Sequence, residues 1–203
     1  MKMAIVKRVA LILCVMAVHA WTLSLPVYAV SAASAGAVNS HAFTPVAADS
    51  VAELRDLATI VSRIAPISQE TMVRRNIAQA TFCLPQNILG RLLYGLLQLT
   101  GRVVETADMN EVKIVVTKAP IGVSLGRYIL LHEFLLTENI VRHEYGHTMQ
   151  GYKHGPFFLL FEGLVSFVQA AFSMISPSFA AGYYERWPEN EANELGGIKA
   201  HSP

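Results

Sequence analysis

The chain has 203 residues, of which 53% are hydrophobic and 15% charged, and its formal net charge is +1. That length suffices for one domain with a real core. The near-neutral balance leaves no basic patch to follow a phosphate backbone, which excludes nucleic-acid binding, and two cysteines cannot build a disulfide scaffold.

The chain opens "MKMAIVKRVALILCVMAVHAWTLSLPVYAV". Lys2, Lys7 and Arg8 precede an apolar run from Val9 to Val27, and "VYA" supplies the small residues of a cleavage site. Residues 1–29 therefore read as a secretory signal peptide cut after Ala29. The apolar run is long, so an uncleaved N-terminal anchor is the alternative. Either way the protein is expected to be exported, to the periplasm or the extracellular space. Cys14 does not read as a lipid-bearing cysteine, because Leu13 before it is too bulky. Cleavage would remove three basic groups and no acid, taking the charge from +1 to −2. It would also leave Cys83 as the sole cysteine, expected as a buried apolar filler.

Residues 30–48 are small, polar and uncharged and read as a flexible leader, with the folded domain over 49–203. In "SVAELRDLATIVSRI" the apolar residues follow the helical period, with Asp49 or Ser50 as the expected cap. "QETMVRRNIAQA" continues as a short helix. "LPQNILGRLLYGLLQLTG" forms a third, with Pro85 in its first turn and Gly101 at its end. "RVVETA" and "EVKIVVTKA" are β-branched runs separated by "DMN", a hairpin signal, and "GVSLGRYILL" follows as one further strand. Helix resumes after Thr137 in "ENIVRHEYGHTMQ", with Gly151 expected to end it. "PFFLLFEGLVSFVQAAFSMI" approaches the length of a membrane span, but Glu162 and Gln169 interrupt it, so it reads as a buried core helix. A short helix, "WPENEANELGG", closes the domain. The expected fold is α+β and zincin-like, mostly helical, with a small antiparallel β-meander over 102–131 beside the helix that carries the histidines.

The chemistry concentrates in "HEYGH". His143 and His147 are four residues apart, so on a helix both imidazoles leave one face about one turn apart and can bind one zinc ion. Glu144 is rotated off that face, yet close enough to serve as the base for a metal-activated water. Gly146 inside the helix points to close packing beneath the site. A catalytic zinc needs a third protein ligand. His154 lies seven residues after His147, one more than the familiar HExxHxxGxxH spacing allows, so it is expected to miss the metal and to serve as a turn or pocket histidine. Glu189 is the favoured acid, with Ala192 permitting close helix packing and Asn193 placed to hydrogen-bond an imidazole. Glu162 is the rival third ligand, or else a surface or Arg127- or Arg142-paired carboxylate. Glu191 and Glu194 read as a solvated face. Tyr183, Tyr184, Arg186 and His154 are candidate donors to an oxyanion.

"HEYGHTMQ", the Gly155–Pro156 turn and the closing "YYERWPENEANELGG" resemble a group of small bacterial zinc metallopeptidases. These carry HEYGHTxQS, an LGP-type turn, an apolar stretch and YY…ExxAD…GG near the C-terminus. The likeness covers roughly residues 84–198. It implies a metal-binding hydrolase with one Zn²⁺ per chain held by His143, His147 and Glu189, with Glu144 as general base. Its substrate would be a peptide or protein. Two positions depart from the group: Gly151 replaces a serine, and Asn193 stands where the group has aspartate. The resemblance thus implies an exported metalloprotease. The alternatives are a non-catalytic, zinc-stabilised binding module and a membrane-associated metalloprotease, with peripheral membrane contact through residues 156–176.

Overall fold

A computed structural model describes residues 56–198. The signal sequence, the leader and the expected caps Asp49 and Ser50 lie outside the described residues. Asp56 caps the first helix instead, accepting from the amides of Ala58 and Thr59. Helix α1 spans Leu57–Arg63, α2 Gln69–Ala80 and α3 Leu84–Leu99. Pro85 sits in the first turn of α3, and Gly101, at φ 64°, follows its Thr100 cap, as the punctuation predicts.

Strands β1 (Val103–Met109) and β2 (Val112–Thr117) form the expected hairpin, turning through Asn110 at φ 52°. The next segment divides into β3 (Gly122–Leu125) and β4 (Tyr128–His132). Gly126, at φ 62°, makes the turn between them. The sheet order is β1-β2-β4-β3, with β4 parallel to β2 and antiparallel to β3. The fold is α+β as expected, but the sheet is mixed and the antiparallel meander is corrected. A meander would lay each strand beside its predecessor; here β4 takes the place next to β2 and pushes β3 to the edge. The reason lies in the side chains. Val112, Ile114 and Val116 of β2 pack on one face with Ile129 and Leu131 of β4, whereas Val115 packs on the other with Tyr128 and Leu130. Both strands are apolar on both faces, which suits the middle of a covered sheet.

Helix α4 (Glu138–His154) lies with α1 against the first of these faces, and α3 covers the second. Thr137 caps α4 by accepting from Ile140 N at 3.3 Å, with Glu138 in the first turn and Lys153 and His154 in the last, in the sense the helix dipole favours. Gly151 does not end this helix. It lies buried inside it, its carbonyl accepting from Cys83 Sγ at 3.3 Å, and Gly155 at φ 60° terminates the helix one turn later. Cys83 is buried, as expected of a filler.

The apolar segment that follows differs from expectation. One π-helical turn, Leu159–Gly163, leads into α5 (Leu164–Ile175). Phe157, Leu160, Phe161, Val168, Phe172 and Ile175 are exposed, so the segment is a surface helix with one buried side. Among the described residues no single helix is long and apolar enough to cross a membrane. Helices α6 (Pro177–Ala181) and α7 (Glu189–Leu195) complete the domain.

Candidate metal centre

Backbone contact between α4 and α7 builds the site. A Cβ placed on Gly146 would stand 1.8 Å from the carbonyl oxygen of Ala192, and Ala192 itself is fully buried. Only a bare Cα at 146 and a methyl at 192 let the two helices approach this closely. The inference of close packing under Gly146 therefore holds, and its partner is α7.

This approach brings Glu189, at the start of α7, to both histidines of α4. Its Oε2 lies 3.0 Å from His143 Nε2 and 3.5 Å from His147 Nε2. The three donor atoms fall within 4.8 Å of one another, and Glu189 is 1% exposed. The rings meet edge to face at 4.7 Å between centroids.

The opposite ring nitrogens fix the tautomers. His143 Nδ1 lies 2.8 Å from Asn193 Oδ1, and His147 Nδ1 lies 2.8 Å from Gln150 Oε1. Gln150 donates its amide hydrogens to Pro188 O at 2.8 Å and Glu191 Oε2 at 3.0 Å, so its oxygen must face the imidazole. Asn193 likewise donates to Tyr184 O at 3.5 Å. Each Nδ1 therefore carries the proton, and both Nε2 lone pairs turn inward on a carboxylate. With both imidazoles neutral, three acceptors converge with no donor among them. Oε1 of Glu189 is buried without a hydrogen-bond partner, a second unsatisfied acceptor at the same place. Histidine protons or a bound cation would satisfy such a set, and two imidazoles with a carboxylate are the ligand types of a divalent transition metal. The group could hold a metal ion.

In the metal-free chain, protons stand in for it. Burial lowers the His147 pKa, but the charge of Glu189 outweighs this and lifts it from 6.5 to about 9. Burial alone would raise Glu189; the two histidines hold it well below the usual carboxylate range.

Glu144 lines, together with His143, His147 and Glu189, a cleft of about 140 Å³. Ser124 of β3 shares its hydroxyl between the backbone oxygen of Glu144, at 2.6 Å, and Glu144 Oε2, at 3.0 Å. The edge strand is thus one hydrogen bond from the expected base. Tyr183 also lines the cleft. Burial, reinforced by the Glu189 charge, pushes its hydroxyl well above 10, so it stays protonated and able to donate.

No family model, no curated protein and no solved structure matches this chain. The assignment of a role therefore rests on the residues themselves.

The remaining candidates are sorted by their contacts. Tyr184 packs edge to face on His143 at 5.4 Å. Arg186 is directed away from the cleft: it donates to Phe179 O at 2.8 Å and lies over the Phe179 ring at 4.0 Å. His154 does not join the two histidines; its Nδ1 meets Glu162 Oε1. Glu162 lines the cleft but is engaged by His154 rather than by His143 or His147, and neither Arg127 nor Arg142 pairs with it. Burial raises its pKa. Glu191 is not simply a solvated carboxylate. It accepts from Lys153, from Gln150 and from Trp187 Nε1 at 3.2 Å, tying α7 to the end of α4. Sequence reasoning missed Gln150 and Ser124. Gln150 follows His147 by three residues on one helix face, a signal that could have found it; Ser124 is brought in by strand pairing alone.

Proposed function

We propose that this protein is an exported zinc metallopeptidase of the HEYGHTxQ type, with Zn²⁺ held by His143, His147 and Glu189. The observation that carries the reading is the convergence of three acceptors, His143 Nε2, His147 Nε2 and Glu189 Oε2, beside a buried glutamate in a cleft. Zinc bound there would supply a Lewis acid that acidifies water and polarises a peptide carbonyl. Glu144, held by Ser124, takes the water's proton and delivers it to the leaving amine. Tyr183 is the donor best disposed to the developing oxyanion, because it lines the cleft and its hydroxyl keeps its proton. Strand β3 has β4 on one side and the sheet edge on the other. An extended peptide added to that edge would run past Glu144, within reach through Ser124.

The test is metal analysis of the purified full-length chain beside hydrolysis of a mixed peptide library. The expected result is one zinc per chain, lost in His143→Ala and Glu189→Ala. Glu144→Gln should retain the metal and lose about 10²–10⁴-fold in turnover. A correctly folded chain that takes up no metal would overturn the proposal. Metal without turnover would favour the second reading, a zinc-stabilised binding module, toward which the neutral Asn193 at His143 points.

A further inference from the structure

Glu162 is the carboxylate in the cleft that hydrolysis leaves unused. It is 2% exposed, its Oε1 meets His154, and its Oε2 is buried with no hydrogen-bond partner. The π-helical turn Leu159–Gly163 carries it. Such turns insert an extra residue and recur at functional sites. A buried, half-satisfied carboxylate is costly unless something completes it.

The cleft cannot complete it from within. Its lining contains no lysine or arginine, but three carboxylates, Glu144, Glu162 and Glu189. With neutral imidazoles, a divalent ion at the histidines offsets two of those charges and leaves one negative charge over. The surrounding wall is apolar: Phe158, Leu159, Phe167 and Ala170 line the same space. An apolar sleeve ending in a carboxylate with one unpartnered oxygen fits a long aliphatic stem with a cationic head.

We propose that Glu162 forms the floor of a subsite that takes a lysine or arginine side chain of the peptide substrate. The inference rests on the metallopeptidase reading for its substrate, but its geometry is independent of the metal. In this role Glu162 sets specificity and leaves the bond-breaking step to Glu144. His154 positions the carboxylate from behind.

The test moves one lysine, residue by residue, through an otherwise neutral peptide, with a norleucine counterpart at each position. Equilibrium binding to the metal-free full-length chain is read first, and kcat/KM of the zinc-loaded chain second. At one register the wild type should prefer lysine at least about tenfold. Glu162→Gln should abolish that preference, leave norleucine binding unchanged and keep the metal content. Should Glu162→Gln fail to fold, Glu162→Asp withdraws the charge by one methylene and should shift the preference toward the longer arginine. Equal binding of lysine and norleucine at every register would overturn the subsite. So would a lysine preference that survives Glu162→Gln or is unchanged in Glu162→Asp. Loss of zinc in Glu162→Gln would make Glu162 a ligand and overturn it too. A lysine preference without hydrolysis would remove the peptidase reading and leave the subsite standing.

Discussion

Gln150 accepts the Nδ1 proton of His147 at 2.8 Å while its own amide donates to Pro188 O, also at 2.8 Å. One side chain thus sets the tautomer of a candidate ligand and latches the helix that brings Glu189. Gln150→Leu should therefore weaken zinc affinity about 10–100-fold, the usual cost of losing a partner behind a ligating histidine. Gln150→Glu keeps an acceptor for His147 but loses the donors to Pro188 and Glu191, and should recover only part of the loss. Competition with a zinc chelator measures both.

Asn193 holds His143 through a neutral amide oxygen at 2.8 Å. Aspartate at this position would make the imidazole more basic and bind the ion more tightly. Asn193→Asp should raise zinc affinity by up to about tenfold. The carboxylate would forfeit the donation to Tyr184 O, which at 3.5 Å is a long bond and a small loss. Unchanged or weaker affinity would mean that the amide, rather than charge at this position, suits the site.

Gly146→Ala tests the seam between α4 and α7. A glycine inside a helix normally costs about 1 kcal/mol against alanine, so the substitution would stabilise an unpacked helix. Here the added methyl would meet the Ala192 carbonyl at 1.8 Å, and that atom is backbone. The steric cost, about 1–3 kcal/mol for overpacking, outweighs the propensity gain. The net cost of up to about 2 kcal/mol should shift thermal unfolding down by up to roughly 8 °C, and zinc uptake should fall because Glu189 is displaced. Calorimetry with metal analysis of the same sample checks both.

The residues that make the site were legible because their spacing is local. His143, Glu144 and His147 share one helix turn, and the Thr137 cap and Gly146 could be read in place. Glu189 was legible through chemistry, since two imidazoles in an apolar setting call for an acid. What escaped was set by tertiary contact. Strand β4 pairs in parallel with β2 across a connection that alternation patterns do not encode. Gly151 carries a helix-ending signal, yet Cys83 against its carbonyl and the longer reach to Gly155 keep the helix going. The apolar run after Pro156 looked like core because composition reports how apolar a helix is and says nothing of what covers it. The same gap hid Ser124, a common residue type made relevant by the edge position of β3.

Metal binding should release protons, with a pH dependence set by the centre's own groups. In the metal-free chain His147 is raised to about 9 from 6.5, burial notwithstanding, because Glu189 faces it. A raised pKa stabilises the fold fully below the unfolded value, and that contribution is lost as pH rises from about 6.5 to about 9. Glu189 is depressed, so its contribution is present above its unfolded value of 4.5 and is lost as pH falls through its folded one. The metal-free chain should accordingly be most resistant to urea between about pH 4.5 and 6.5 and lose resistance toward pH 9. Zinc must displace the His147 proton, so uptake at pH 7.5 should release about one proton per ion. Titration calorimetry in buffers of different ionisation enthalpy reads that number directly. Proton release near zero would mean that His147 is already neutral in the metal-free chain, and the urea profile should then be flat across the same alkaline range.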